Sequence, residues 1–264
     1  MPLTKTLTRI VLVVCLLSPS IPRFTQITRA QNESPNHQLA QTSFDCATVS
    51  ELPQPECRAL VAIYASTGGS QWIDQTGWLQ TTMPCSWFGV TCHNNHVIKL
   101  DLNRNGLVGA LPPEIEHLNM LIFLYLQNSQ IDELPTEFGE LSELRDLNLH
   151  NNMLTTLPPE IGHLFNLHTL DLGRNDLQTL PNEMSNLWHL QSLDLSYNQF
   201  EDVPTAITEL SDLEKLNLGH NPLASAPSEI ENLGELYILN DLLNTTPVNE
   251  SIFNIMNDNS GLFF

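Results

Sequence analysis

The chain has 264 residues, 41% hydrophobic and 7% aromatic, enough to bury one sizeable core or two small ones and too apolar for wholesale disorder. Ten Lys and Arg against thirty Asp and Glu give a formal net charge of −20. Nucleic acid and anionic membrane surfaces are repelled by that balance and are excluded as partners.

The first thirty residues read as a leader. Lys5 and Arg9 precede an apolar run from Ile10 to Leu17, long enough for the core of a signal peptide and too short to span a bilayer. Cleavage is expected after Ala30, where Thr28 and Ala30 are the small residues of the site, with Ser18 to Ser20 as the nearer alternative. Once the leader is gone, no stable membrane insertion is expected. Its removal also takes away Cys15 and leaves four cysteines, Cys46, Cys57, Cys85 and Cys92, in a chain bound for an oxidising compartment. Four cysteines allow three connectivities. Short-range pairing, Cys46 with Cys57 and Cys85 with Cys92, is favoured because each pair brackets one compact element.

Residues 31–45 read as a flexible segment and 46–96 as a cap. In the cap, "PECRALVAIYASTGG" predicts a helix with Pro55 in its first turn, Leu60, Val61 and Tyr64 on its apolar side, and Gly68 and Gly69 ending it. The following stretch brings Trp72, Trp78, Trp87 and Phe88 together, the last two inside "PCSWFGVTC" at residues 84–92. A Cys85–Cys92 loop is worth roughly 2.5 kcal/mol in the chain-entropy picture and would hold these aromatics over an apolar end of the next domain.

From residue 97 to 235 the chain repeats. One leucine column runs Leu100, Leu124, Leu147, Leu170, Leu193, Leu216 and Leu239, a first step of 24 residues and then steps of 23. The pattern LxxLxLxxNxLxxLPxxIxxL at this period marks six leucine-rich repeats and an α/β solenoid. Each LxxLxL makes a short strand, and the strands stack as a parallel sheet on the concave face. Asn105, Asn152, Asn175, Asn198 and Asn221 turn the chain out of the strand, their amides bonding backbone groups that the bend leaves unpaired. Ser129 holds the equivalent place in the second unit, which predicts the least regular turn there. Pro112, Pro135, Pro158, Pro181, Pro204 and Pro227 open convex returns of one helical or 3-10 turn. The column Glu114, Glu137, Glu160, Glu183 and Glu229 reads as first-turn carboxylates favoured by the helix dipole rather than as a binding ridge. Residues 236–264 read as a degenerate seventh repeat, with Asp241 at an inward leucine position, followed by a C-terminal lid of Ile252, Phe253 and Met256.

The cap with "PCSWFGVTC", followed by "VIKLDLNRNGLVGALPPEI", resembles the N-terminal cap and first repeat of secreted leucine-rich repeat proteins, both plant receptor-like ectodomains and bacterial relatives. The resemblance covers about residues 46–240. It implies a solenoid with an N-terminal disulfide cap, secreted, extracellular or at the cell surface (the periplasm in a Gram-negative organism). The first unit is similar to the 24-residue plant-type repeat, whereas the later 23-residue units lack its glycine. No kinase, second domain or membrane span is expected after the array.

Catalytic, cofactor and metal motifs are not found. Cys85, Cys92, His93 and His96 have a zinc-like flavour, but export favours the disulfide and leaves His96 as ordinary surface. The nine histidines share no register and read as solvent-exposed filler. Asn32, Asn244 and Asn249 would be glycan acceptors in a eukaryote. The expected function is therefore non-catalytic binding of a protein or peptide on the concave face, through Phe123, Tyr125, Asp146, Asn148, Asp171, Arg174, Tyr197 and His220. Inhibition of a secreted hydrolase and a structural or adhesive role at the cell surface are the alternatives.

Overall fold

The computed structural model describes residues 44–224 and the backbone of 237–239. The expected leader, Asn32, Asn244 and Asn249, Pro227, Glu229, Asp241 and the C-terminal lid lie outside the described residues.

Helix α1, Gln54–Ser66, starts on two prolines that preset its first turn and stops before Gly68, whose φ of +70° is left-handed. Its buried face is Cys57, Ala59, Leu60 and Ile63. Val61 and Tyr64, expected in the core, are only half-buried, because the helix turns its other edge to the array. The Cys46–Cys57 disulfide ties the preceding 3-10 turn, Cys46–Thr48, to α1. Glu56 is 3% exposed and clamps the helix to the first repeat, one carboxylate oxygen accepting the Val97 N–H at 2.8 Å and the other meeting His96 Nδ1 at 2.5 Å. His96 is thus a tether between cap and array, not the ordinary surface residue its sequence context suggests.

Trp72, Trp78 and Trp87 are buried in a chain of ring contacts that runs from Tyr64 to Phe44. Their indole N–H groups donate to the carbonyls of Thr67, Phe88 and Thr81, so no polar edge is left bare in the core. Phe88 departs from expectation: at 36% exposed it points away from the core, and only its carbonyl serves the cluster. Gly89 follows with φ +78°, and a Cβ there would lie 2.2 Å from the Asp101 carbonyl oxygen. The Cys85–Cys92 disulfide closes this loop. Strand β1, Val90–His93, then turns through Asn94 and Asn95, both at positive φ, into β2, His96–Asp101. The pair is antiparallel, and β2, itself the strand of the first repeat, pairs on its other side in parallel with the strand of the second. The hairpin therefore covers an edge that a bare solenoid would leave open.

Beyond it stack β4 (Phe123–Tyr125), β6 (Asp146–Asn148), β7 (Thr169–Asp171), β8 (Ser192–Asp194), β9 (Lys215–Asn217) and β10 (Tyr237–Leu239), all parallel, with leucine opposite leucine from Leu100 to Leu216. In the degenerate last unit Ile238, not the expected Leu239, faces Leu216, and Leu239 faces Asn217, one residue out of the repeat's period. Convex returns are 3-10 turns, from Pro113–His117 to Thr205–Glu209, each following a proline. Glu114, Glu137, Glu160 and Glu183 lie in the first turns of these segments. Leucines from both walls fill one continuous core.

Asparagine holds the coils together. Asn175 donates to the carbonyls of Leu149 and Leu172 at 3.0 Å, while its Oδ1 accepts the Leu154 N–H of the coil before it at 3.0 Å. Asn152, Asn198 and Asn221 repeat these bonds, and Asn105 makes two to the Asp74 backbone, joining the array to the cap. Ser129 is too short to reach, and its buried hydroxyl has no partner. Its coil gains a different order instead of simply losing regularity: β3 (Val108–Gly109) and β5 (Gln130–Ile131) pair as a second small sheet.

Candidate binding surface

Strand alternation sends the central leucine of each three-residue strand inward and its two neighbours onto the concave floor. Two columns result: Lys99, Phe123, Asp146, Thr169, Ser192, Lys215, and Asp101, Tyr125, Asn148, Asp171, Asp194, Asn217, each pair facing its neighbour across the ladder. Phe123 and Tyr125 are half-buried, not fully exposed, with ring centroids 6.3 Å apart. Lys99 stands 5.0 Å over the Tyr125 ring and pairs with Asp101 at 3.0 Å. Burial pushes the Tyr125 hydroxyl pKa above its ordinary value, and the Asp146 carboxylate adds to the rise. For Asp101 burial acts upward, but bonds from Asn103 and Lys99 outweigh it and hold the carboxyl below its ordinary value. A recess of about 300 Å³ continues this end of the floor, bounded by Phe88, Gly89, Lys99, Asp101 and Asn103.

The middle of the floor is acidic. Asp171 faces Asp194 across adjacent strands, and each accepts an amide N–H from the asparagine on its far side, Asn148 and Asn217. His150 meets Asp171 at 3.2 Å, and the Gly173 N–H bonds the same oxygen at 3.0 Å. Burial raises the Asp171 pKa; the Gly173 and His150 contacts oppose the rise and the Asp194 charge adds to it. A Cβ on Gly173 would press within 3.0 Å of both His150 and Asp194, so this floor has no room for a larger residue.

Arg174, Tyr197 and His220 do not lie on the floor. They share the position before the coil asparagine, where Arg104, Asn128, Asn151, Arg174, Tyr197 and His220 all have φ between +53° and +60°. This repeated left-handed turn aims successive side chains along one rim. There they stack: the Arg174 guanidinium lies 4.0 Å over the Tyr197 ring, and the His220 ring lies 3.9 Å beyond at 17°. The predicted site residues thus form two groups, a floor of Phe123, Tyr125, Asp146, Asn148 and Asp171 and a rim of Arg174, Tyr197 and His220. Lys99 and Asp194 complete the floor from the repeat columns themselves, and His150 joins it through its contact with Asp171, which no column signals.

Cys85 and Cys92 are joined to each other, so the zinc-like set with His93 and His96 does not exist. Among the described residues no group of three or more His, Cys, Asp or Glu could hold a metal, and no helix is long and apolar enough to cross a membrane.

A leucine-rich repeat region model matches residues 136–256, and a single leucine-rich repeat model matches 96–118. The chain is a leucine-rich repeat solenoid. A leucine-rich repeat protein of Leptospira interrogans is 37% identical, with a TM-score of 0.53, over 58% of this solenoid and 39% of that chain. The Arabidopsis receptor kinase HAESA, solved in complex with the peptide hormone IDA and the co-receptor SERK1, is 32% identical, with a TM-score of 0.53, over 59% of this chain and 28% of that one. Leucine-rich repeat protein 2 of Arabidopsis thaliana is 48% identical over 44 residues, 16% of this chain and 20% of that protein. The solenoid spans a fifth or less of the curated relatives it matches.

Proposed function

We propose that the solenoid is a non-catalytic binding module, working outside the cytosol, whose concave face takes a protein or peptide. The observation that carries this is the floor itself. Half-buried aromatics at one end adjoin three floor aspartates, Asp146 in the column of Phe123 and the facing pair Asp171 and Asp194 in the column of Tyr125, beside a rim stack led by Tyr197. Aromatic anchors next to partly desolvated carboxylates fit an extended segment carrying apolar and basic side chains. The likeness to a peptide-bound receptor supports the reading, and two disulfides support an oxidising compartment.

Peptides selected from a random library on the immobilised chain provide the test. Tyr125→Ala and Tyr197→Ala should each weaken such a peptide by about 2 kcal/mol, as interface anchors do, and leave the melting temperature nearly unchanged. Glu137→Gln and Glu160→Gln on the convex side should leave binding alone. Loss of binding in the convex variants with the concave ones unaffected would move the site to the convex acidic column.

A further inference from the structure

Outside the concave face, the edge that leads from each 3-10 turn back into the next strand carries side chains that the repeat does not need. The residue after the leucine that ends the 3-10 turn is Asn119, Ser142, Phe165, Trp188 or Ser211 in successive coils. Three of the five are small or polar, so the position has no packing requirement. The leucines on either side, Leu164, Leu167, Leu187 and Leu190, are fully buried and hold the coil by themselves. Phe165 and Trp188 nevertheless stand 46% and 56% exposed, ring centroids 6.0 Å apart. His163 lies 6.3 Å from the Phe165 ring, and His168 and His189 stack across the same two coils at 6.2 Å. Three histidines thus gather on one patch, contrary to their scattered appearance in the sequence.

The flanking charge indicates the partner. The next coil presents Glu209, Asp212 and Glu214, all exposed, with Asp212 already 3.2 Å from His189. The preceding coil presents Glu140 and Glu143, with Arg145 as its one cation. A second copy of a chain with net charge −20 would be repelled, as would an anionic membrane. An arginine or lysine, by contrast, gains from an indole or phenyl face and from the carboxylates beside it. We propose that Phe165 and Trp188, with His163, His168 and His189, form a second docking surface for a basic protein segment. Its arginine or lysine side chains lie over the two rings and reach the carboxylates of the next coil.

The chain carries its own reporter for this surface. Of its four tryptophans, Trp72, Trp78 and Trp87 are no more than 3% exposed, so acrylamide quenching reads Trp188. The probe is a synthetic hexapeptide of alternating arginine and leucine, added to the full chain, with the matching aspartate–leucine peptide as control. The arginine peptide should protect Trp188 from acrylamide in a saturable way and the aspartate peptide should not. Phe165→Ala should raise the half-protecting concentration at least fivefold. The combined Glu209→Gln, Asp212→Asn and Glu214→Gln variant should raise it three- to tenfold. Trp188→Ala should remove the accessible emission with its melting temperature unchanged, which verifies the reporter. The concave variants Tyr125→Ala and Tyr197→Ala should leave protection intact, so failure of the concave reading and failure of this one are distinguishable. The proposal is overturned by absence of protection, by equal protection from the aspartate peptide, or by loss of protection in the concave variants. Sedimentation showing a Trp188-dependent dimer would overturn it as well.

Discussion

Each coil asparagine from Asn152 to Asn221 satisfies a backbone N–H of the coil before it and carbonyls of two coils at once, so one side chain bears several buried bonds. Asn175→Ala should leave those groups unpaired and cost about 3 kcal/mol, measured by chemical denaturation. Ser129→Ala at the same repeat position should cost almost nothing, because the hydroxyl it removes has no partner. Equal costs for the two variants would show that the ladder does not hold the coils. Asp171 supplies a test in pH. Its folded pKa lies above the ordinary 3.8, chiefly through burial, so the folded state binds more protons than the unfolded state in the window just above that value. Stability contributed by Asp171 is therefore present at lower pH and declines as pH rises through the window. Asp171→Asn cannot titrate, and it also loses the bond from Asn148, a cost independent of pH. The variant's melting temperature should accordingly gain on the wild type as pH is raised from 3 towards 7. A difference that is flat in pH would contradict the direction assigned to Asp171.

Among the elements, the cap hinges on Glu56, a buried carboxylate whose partners belong to β2. Glu56→Ala strands the Val97 N–H and should cost about 2–4 kcal/mol, and hydrogen exchange should loosen α1 before the mid-array strands, since stability in a solenoid is local. Leu170→Ala removes a mid-array core side chain and should cost about 2–5 kcal/mol. Protection lost first in β7 of the Glu56→Ala variant would show that the clamp is not where cap meets array. Much of this was legible beforehand, for physical reasons that differ by element. The inward leucines, the asparagine turns and the 3-10 returns follow from a period that each position must obey to stack. Glu56 was not legible, because a helical glutamate gives no sign in sequence of a partner forty residues on. Phe88 looked like core because it adjoins Trp87, yet the backbone needs only its carbonyl. The rim stack escaped notice for a third reason. A left-handed turn at non-glycine residues aligns Arg174, Tyr197 and His220, and only the two asparagines of that column, Asn128 and Asn151, hint at the conformation.

For the whole molecule, the residues that hold the fold and those of the two proposed binding surfaces lie apart. Buried leucines and the asparagine ladder fix the coil, which leaves the floor and both edges free to differ from unit to unit without loss of fold. That freedom lets a single array carry an aromatic and acidic concave floor together with a Phe165–Trp188 edge. Its strong negative charge should speed encounter with basic partners and make it salt-sensitive. Raising salt from 50 to 500 mM should slow association of a selected basic peptide much more than its dissociation, as read by surface plasmon resonance. The most direct test of the concave reading is a crystal structure of the chain with one selected peptide bound. Density for the peptide should cross β4, β6, β7 and β8, with a basic side chain at Asp171 and Asp194 and an apolar one against Tyr125. Density lying on the convex 3-10 turns, with the concave floor bare, would contradict it.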